Sequence, residues 1–360
     1  MLAFCHKQNK NRYDINGEYT MRTALIYALP IALSVGAAQA QETLAIYNWG
    51  DYINPEILTK FTEETGIAVT LDIYSSNEEM LAKIQAGATG YDIVFPSVWM
   101  QDIMVKLDLL EETNINQDPA FANINPTFLR SKEDPDSSYC LPYAWGSVGI
   151  FYNEDVTGPI TGWKDFFEIP AKTGGKISLL DDMREVLGMG LIMTGKPVNS
   201  TDPAEVKAAA DYVISRKADV TAFTYEAGAL MQSGDLAAAH FFVGGAIFFT
   251  EMPNIKYVIP AEGATMYQEN LCVLKDAPNK AAAQKFMQFY LRPEIAAMNV
   301  AQQFNGTANT PANELTPDFI KLNPNINVPA ETMARLQIFE DLGAALKIYD
   351  RAWNAIRTAQ

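Results

Sequence analysis

Leu44-Ala45-Ile46-Tyr47-Asn48-Trp49-Gly50-Asp51-Tyr52 is the stretch from which the fold of the chain is read. Leu44 to Tyr47 is a short apolar run of the kind a parallel sheet buries on both faces. Asn54-Pro55 then supplies a helix start, with Asn as N-cap and Pro at the first helical position. Trp49, Asp51 and Tyr52 therefore fall on a strand-to-helix loop at the carboxyl end of a strand. Open α/β sheets place their ligand sites there, so the expectation is a cleft completed around this loop by the rest of the chain.

Downstream, the pattern repeats. A helix over residues 55–65 ends at Gly66, a C′ glycine. Residues 67–74 alternate and are β-branched, a second strand. Ser75 or Ser76 caps a helix over residues 77–85, with Glu78 and Glu79 in its first turn. Residues 91–95 form a third strand, and Pro96-Ser97-Val98-Trp99 leads into the next helix. Strands alternating with helices at this spacing imply an α/β fold with a mainly parallel sheet. Residues 114–136, rich in Asn, Pro and Asp, read as irregular surface.

Residues 139–152 read as a long apolar strand pair or a crossing segment; the latter can carry the chain from one domain to another, with Gly146 and Gly149 able to absorb hinge changes. The pattern then restarts with strand 176–180 and a helix opened by Asp181-Asp182 and running through Leu191. A helix from Asp202-Pro203, strand 219–223, helix 226–234 and a strongly apolar strand region, 237–249, follow. Strand 257–259 and segment 262–274, which recrosses to the first domain, come next. Helices over 280–291 and 294–303 and a last helical stretch over 331–357 close the chain.

Upstream, Met21-Arg22-Thr23 is a short basic region, residues 24–38 are an apolar run, and Ala38-Gln39-Ala40 is a cleavage-type sequence. Residues 21–40 thus read as an export signal, with a mature chain from near Gln41 and residues 1–20 as an upstream extension. An uncleaved membrane anchor is the alternative. Of 27 Lys/Arg and 43 Asp/Glu, four and two fall in the first 40 residues, so the rest carries 23 basic and 41 acidic groups, a net charge of −18. Such a surface disfavours nucleic acid and anionic membranes and favours cationic small molecules. After processing, 320 residues fit two domains of ordinary size. Cys140 and Cys272 remain; export permits a disulfide, and two free buried thiols are the other reading.

The chemistry lies in carboxylates and rings. Asp182 and Glu185 are one helical turn apart at a helix start that follows a strand. They read either as a site for a cation, or as an N-cap with its N3 partner, or as partners of Arg184. Paired carboxylates also serve glycosidases, but no matching substrate motif accompanies them. Trp49, Tyr52, Trp99, Phe242 and Tyr267 lie at strand ends near Gly, Pro and acids; rings beside acids cage alkylammonium groups. His240, the only histidine after residue 40, sits in an apolar strand and reads as a core or surface residue. No G-x-S-x-G, P-loop, H-E-x-x-H or C-x-x-C is present, and Gly188-Met189-Gly190 falls inside a helix, not a dinucleotide fingerprint. No enzyme, cofactor or metal site is expected.

An ordered set of motifs then carries a family resemblance over residues 44–349. They are Tyr47-Asn48-Trp49 with Tyr52, Phe61-Thr62-Glu63-Glu64-Thr65-Gly66, Tyr91-Asp92 with Pro96-Ser97, and Leu141-Pro142-Tyr143 with Trp145-Gly146. Asp181-Asp182 with Arg184-Glu185-Val186, Leu291-Arg292-Pro293 and Gly343-Ala344-Ala345 complete it. This set resembles the periplasmic spermidine/putrescine-binding proteins of bacterial ABC transporters. The resemblance implies two α/β lobes, a type II periplasmic binding fold, joined by crossing strands and closing on a linear polyamine. By position, Trp49 and Tyr52 stand for aromatic walls, Ser97 and Trp99 for the second loop of the first lobe, and Asp51 for an added carboxylate at the mouth. Asp182 and Glu185 match the acidic pair that holds amino groups. Phe242 and Tyr267 replace tryptophans, Glu269 replaces a key aspartate, Asn305 a site tyrosine, and Phe339 a polar side chain of one member class. Gly244-Gly245 replaces polar residues.

The expectation is therefore an exported, monomeric, non-enzymatic receptor that delivers a putrescine- or spermidine-like cation to an inner-membrane ABC permease. Another small amine or amino acid such as γ-aminobutyrate is the alternative ligand, and a ferric-ion receptor or a hydrolase are more distant readings. Lobe 1 is expected over residues 41–145 and 269–316, lobe 2 over 146–268 and 317–360.

Overall fold

The computed structural model describes residues 42–87 and 90–359. The expected export signal over 21–40, its cleavage site and the extension before it lie outside the described residues. Among the described residues, no helix is long and apolar enough to cross a membrane.

Ten strands form one mixed sheet: β1 Thr43–Trp49, β2 Ala68–Tyr74, β3 Ile93–Val94, β4 Cys140–Asn153, β5 Ile177–Leu179, β6 Val220–Phe223, β7 Ala238–Phe242, β8 Ile255–Val258, β9 Ala264–Val273 and β10 Leu336–Ile338. The order is β2-β1-β3-β9-β4-β7-β5-β6, with β10 added to β9 and β8 to β4. At one end β2, β1 and β3 are parallel; at the other β7, β5 and β6 are parallel. The middle is antiparallel. β4 and β9 pair from Cys140 opposite Cys272 to Val148 opposite Thr265. Beyond that, β4 continues alone to pair with β7 and β8. A 14-residue strand spans roughly 46 Å at 3.3 Å per residue, so β4 begins in one lobe and ends in the other.

Each lobe has its own apolar core. Leu44, Ile46, Ile57, Phe61, Phe95 and Phe286 are buried in the first, and Trp163, Phe166, Ile177, Leu179, Val186 and Tyr349 in the second. Each such side chain contributes about 1.5–3 kcal/mol on leaving water. Helix Pro55–Thr65 starts as its sequence implies: Asn54 Oδ1 accepts from the Glu56 amide, and Gly66 closes the helix at φ 74°. Two quoted motifs meet beside it, where Arg292 pairs with Glu64 at 2.6 Å and with Glu294 at 2.8 Å. Asp92, in a third, accepts the amides of Ala45 at 2.8 Å and Asn279 at 2.7 Å, tying β1 to the loop before helix Lys280–Tyr290.

Several expectations are corrected. The apolar run 237–249 is not one strand. β7 stops at Phe242, its last pairing with β4, and Val243–Phe249 turns as 3₁₀ helix. A Cβ on Gly244 would lie 2.8 Å from Asn305 Oδ1, so this turn requires its glycine. The stretch 331–357 is not one helix: Ala330–Met333 gives way to β10, which adds parallel to β9, before helix Leu346–Thr358. Pairing with an exposed sheet position outweighs helix propensity there. The third strand pairs over Ile93–Val94 only, and β2 is an edge strand whose Leu71 and Ile73 are exposed. Of the two readings of the cysteines, the bridge is the one found: Cys140 and Cys272 are joined across β4 and β9.

Candidate ligand-binding site

Between the two parallel ends of the sheet lies a cavity of about 1250 Å³. Every residue expected at the site lines it: Trp49, Asp51, Tyr52, Ser97, Trp99, Asp182, Glu185, Phe242, Tyr267, Glu269, Asn305 and Phe339. They come from separate stretches of chain, and strand ends bring most of them together.

The first wall is built on the loop after β1. The Trp49 indole N–H donates to the Phe95 carbonyl at 2.8 Å, which sets the ring beside Tyr74, with centroids 4.7 Å apart. Asp51 takes the left-handed conformation, φ 53°, and is exposed at the mouth. Tyr52 reaches inward, and its hydroxyl donates to Glu269 Oε2 at 2.6 Å. The Tyr143 hydroxyl in turn donates to the Tyr52 carbonyl at 2.5 Å. Ser97, just before helix Val98–Lys106, donates its hydroxyl to Glu269 Oε1 at 3.2 Å. Trp99 is half-buried beside Phe339, Ile192 and Val198.

Residues 265, 267 and 269 of β9 share one face, because side chains alternate along a strand. Tyr267 stands between the two others and meets the Phe242 ring edge-on at 5.5 Å. Its hydroxyl donates to Asn305 Oδ1 at 2.5 Å. Gly146 on β4 makes room for it: a Cβ there would sit 2.3 Å from Tyr267 Oη. Asn305, buried, thus supports Tyr267 instead of filling the place of a ring.

The opposite wall is the start of helix Met183–Met193. Asp182 Oδ1 accepts the amides of Arg184 at 2.8 Å and Glu185 at 3.0 Å, so Asp182 is the N-cap. Its other oxygen accepts from the Tyr225 hydroxyl at 3.1 Å. Glu185 does not return the capping bond. Its carboxylate turns inward and accepts from the Thr265 hydroxyl. Arg184 does not pair with either acid: it reaches Asn199 Oδ1 at 2.9 Å and the Glu340 carbonyl at 3.3 Å, and lies over the Phe339 ring at 4.4 Å. Phe339 is therefore covered by a cation that already belongs to the protein.

Burial, then the charge of Asp182, pushes the Glu185 carboxyl up to about 8, against the Thr265 hydrogen bond and Arg184. Burial alone pushes Glu269 up to about 7, while the Tyr52 and Ser97 hydrogen bonds pull it down. Both acids are at most 5% exposed, with hydroxyls rather than ammonium or guanidinium groups as partners. His240, by contrast, packs edge-on against Trp163 at 4.9 Å, and burial drives it down to about 3, a neutral core histidine. Among the described residues, no cluster of His, Cys, Asp and Glu has the geometry to hold a metal ion.

Sequence reasoning missed Asn77, Arg184, Tyr225 and Thr265 as cavity or supporting residues. Asn77 and Tyr225 follow closely on β2 and β6, at the carboxyl ends where ligand sites gather. Thr265 lies on the Glu269 face by the period of two.

Residues 56–328 match the sequence family described as bacterial extracellular solute-binding protein. The chain belongs to this family. It is 32% identical to the spermidine/putrescine-binding periplasmic protein of Escherichia coli over 344 residues, covering 93% of this chain and 98% of that one. It is 33% identical to a putrescine-binding periplasmic protein of Pseudomonas aeruginosa over 364 residues, covering 93% and 98%. Among solved structures, a spermidine/putrescine ABC transporter substrate-binding protein from Streptococcus pneumoniae superposes with a TM-score of 0.81 at 34% identity, over 88% of this chain and 99% of that one. The two-lobed solute-binding fold is shared with that structure.

Proposed function

We propose that this chain is a periplasmic receptor that captures a linear polyamine, a putrescine- or spermidine-like cation, and delivers it to an inner-membrane ABC permease. The observation that carries the reading is the pair of buried carboxylates, Glu185 and Glu269, with no cationic partner, facing one aromatic-lined cavity. Thr265 and Glu269 are four residues apart on β9, on the order of 13 Å along the strand. A flexible alkyl chain with an ammonium at each end spans such poles. Trp49, Tyr52, Trp99, Phe242 and Tyr267 give its methylenes apolar contact and its cations ring faces. Relatives named for putrescine and spermidine support the same reading.

The ligand acts by selection of the closed state: it bridges groups of both lobes and so stabilises closure about β4 and β9. Lobe 1 comprises residues 41–145 and 269–316, and lobe 2 residues 146–268 and 317–360, with β10 riding on the crossing pair. The receptor is a monomer and catalyses no reaction. An amino acid such as γ-aminobutyrate is disfavoured because its carboxylate would meet acids, and Arg184 is already engaged by Asn199, Glu340 and Phe339.

The test is calorimetric titration of residues 41–360, stripped of ligand by unfolding and refolding, with putrescine, spermidine and γ-aminobutyrate. One polyamine binds, and Glu185→Gln weakens it by about 10- to 100-fold, the value of one charge-assisted hydrogen bond, with the thermal midpoint of the empty protein not lowered. Binding of γ-aminobutyrate alone, or unchanged affinity in the variant, overturns the reading.

A further inference from the structure

Glu269 is held by a relay whose direction the backbone dictates, and that relay begins outside the residues expected to touch ligand. The Ser97 amide N–H lies 3.1 Å from Asn77 Oδ1. An N–H can only donate, so this contact requires the oxygen of the Asn77 amide on that side. The Asn77 Nδ2 then faces Ser97 Oγ at 3.0 Å and donates to it. Ser97 has a single hydroxyl hydrogen. With its oxygen already accepting from Asn77, the hydrogen is directed at Glu269 Oε1, 3.2 Å away.

Asn77 is not the only hold on the Ser97 backbone. Ser97 and Glu269 form a backbone bridge, and the Asn270 amide donates to the Pro96 carbonyl at 3.0 Å. Helix Asn77–Gln85 does not depend on the Asn77 side chain, since Ser76 is its N-cap and accepts from the Glu79 amide at 3.1 Å. What Asn77 contributes is the direction of one hydrogen. It is buried, at 6% exposed, and lies at the cavity wall.

We propose that Asn77 is a positioning residue for ligand capture: by clamping Ser97 at both ends it aims the Ser97 hydroxyl hydrogen at Glu269 and holds that carboxylate ready for an ammonium group. This rests on the polyamine reading of the cavity. The groups facing Glu269 from neighbouring elements are the phenols of Tyr52, Tyr74 and Tyr267, all pushed above their usual range by burial and so uncharged from pH 5 to 9. Burial sets the height of this midpoint, and with no neighbour titrating beside it, a difference between variants of like burial reports its hydrogen bonds.

Asn77→Asp and Asn77→Ala, in the chain from residue 41, test it. In Asn77→Asp one oxygen of the new carboxylate would still accept from the Ser97 amide, but the other would accept the Ser97 hydroxyl and draw that hydrogen away from Glu269. Positioning therefore predicts polyamine binding about tenfold weaker in Asn77→Asp even at pH 9, and several-fold weaker in Asn77→Ala, with thermal midpoints near wild type. A mere charge effect predicts the reverse for Asn77→Asp, because an added anion attracts a cation. Carbon-13 NMR titration of the Glu269 carboxyl without ligand gives a second readout. Its midpoint rises by about one pH unit in Asn77→Asp and also rises in the uncharged Asn77→Ala. Unchanged Glu269 midpoints, or an Asn77→Asp variant that binds as tightly as wild type, overturn the proposal. If the wild-type chain takes no polyamine while both midpoints rise, positioning stands and the ligand reading fails.

Discussion

Loading of the cleft is expected to release protons. Empty, the Glu185 carboxyl titrates at about 8 and Glu269 at about 7; filled, each faces an ammonium group and is ionised. At pH 7 the first group carries about 0.9 proton and the second about half of one, so one bound polyamine displaces ~1.4 protons. Deprotonation costs about 1.4 kcal/mol for Glu185 and ~0.4 kcal/mol for Glu269 at that pH. Affinity is thus about 20-fold weaker at pH 7 than at pH 9, and about 50-fold weaker again at pH 6. Alkylammonium groups stay largely protonated up to about pH 8, so the slope from pH 6 to 8 belongs to the protein. Calorimetry in phosphate and in Tris at one pH gives the proton count from the difference in enthalpy, and repetition from pH 6 to 9 gives the slope. Glu185→Gln should cut the release at pH 7 to about half a proton and flatten the profile above pH 7. Equal enthalpies in both buffers, with affinity constant from pH 6 to 9, would refute the claim that the empty cleft keeps its acids protonated.

Three further outcomes follow from the same geometry. Without ligand, the fold should lose thermal stability as pH rises from about 5 to 8, because Glu185 and Glu269 bind protons more tightly folded than unfolded and the native state must give them up; polyamine should reverse the loss, as differential scanning fluorimetry across that range would report. Gly146→Ala places a Cβ 2.3 Å from Tyr267 Oη and 2.8 Å from Val243 Cγ1, which should cost about 1–3 kcal/mol by urea titration and weaken binding by moving Tyr267. Replacing both Cys140 and Cys272 by Ser frees a loop of 132 residues and should lower unfolding free energy by about 4–5 kcal/mol on the chain-entropy account, with polyamine affinity little changed.

Much of the cleft is legible in the sequence because strand ends and helix starts leave local marks. Trp49, Tyr52 and Ser97 sit where a strand pattern gives way to a helix pattern, and the three line one cavity. Asp182 and Glu185 show the limit of such marks. Capping and binding predict the same spacing, and the two residues divide the roles: Asp182 caps with one oxygen while Glu185 turns away toward Thr265. Nothing local to residue 185 announces that turn, since Thr265 lies 80 positions along the chain. By position Phe339 reads as a lost polar contact, and in the folded chain Arg184 lies across its ring.

By itself the sequence determined the alternation of strands and helices, the long apolar segment that became β4, the recrossing segment that holds β9, and the acidic, aromatic character of the wall residues. Those are properties of neighbours a few positions apart, set by burial period, capping and turn chemistry. The tertiary structure alone decided where β7 stops, that Leu336–Ile338 joins β9 instead of continuing a helix, that Cys140 meets Cys272, and which hydroxyl each buried acid receives. Each of these is a contact between distant residues, whose free energy depends on a register and a burial that no local pattern encodes. The ionisation of Glu185 and Glu269 is of the same kind: a carboxyl is pushed up by the atoms that exclude water from it, and only the packed molecule supplies those atoms.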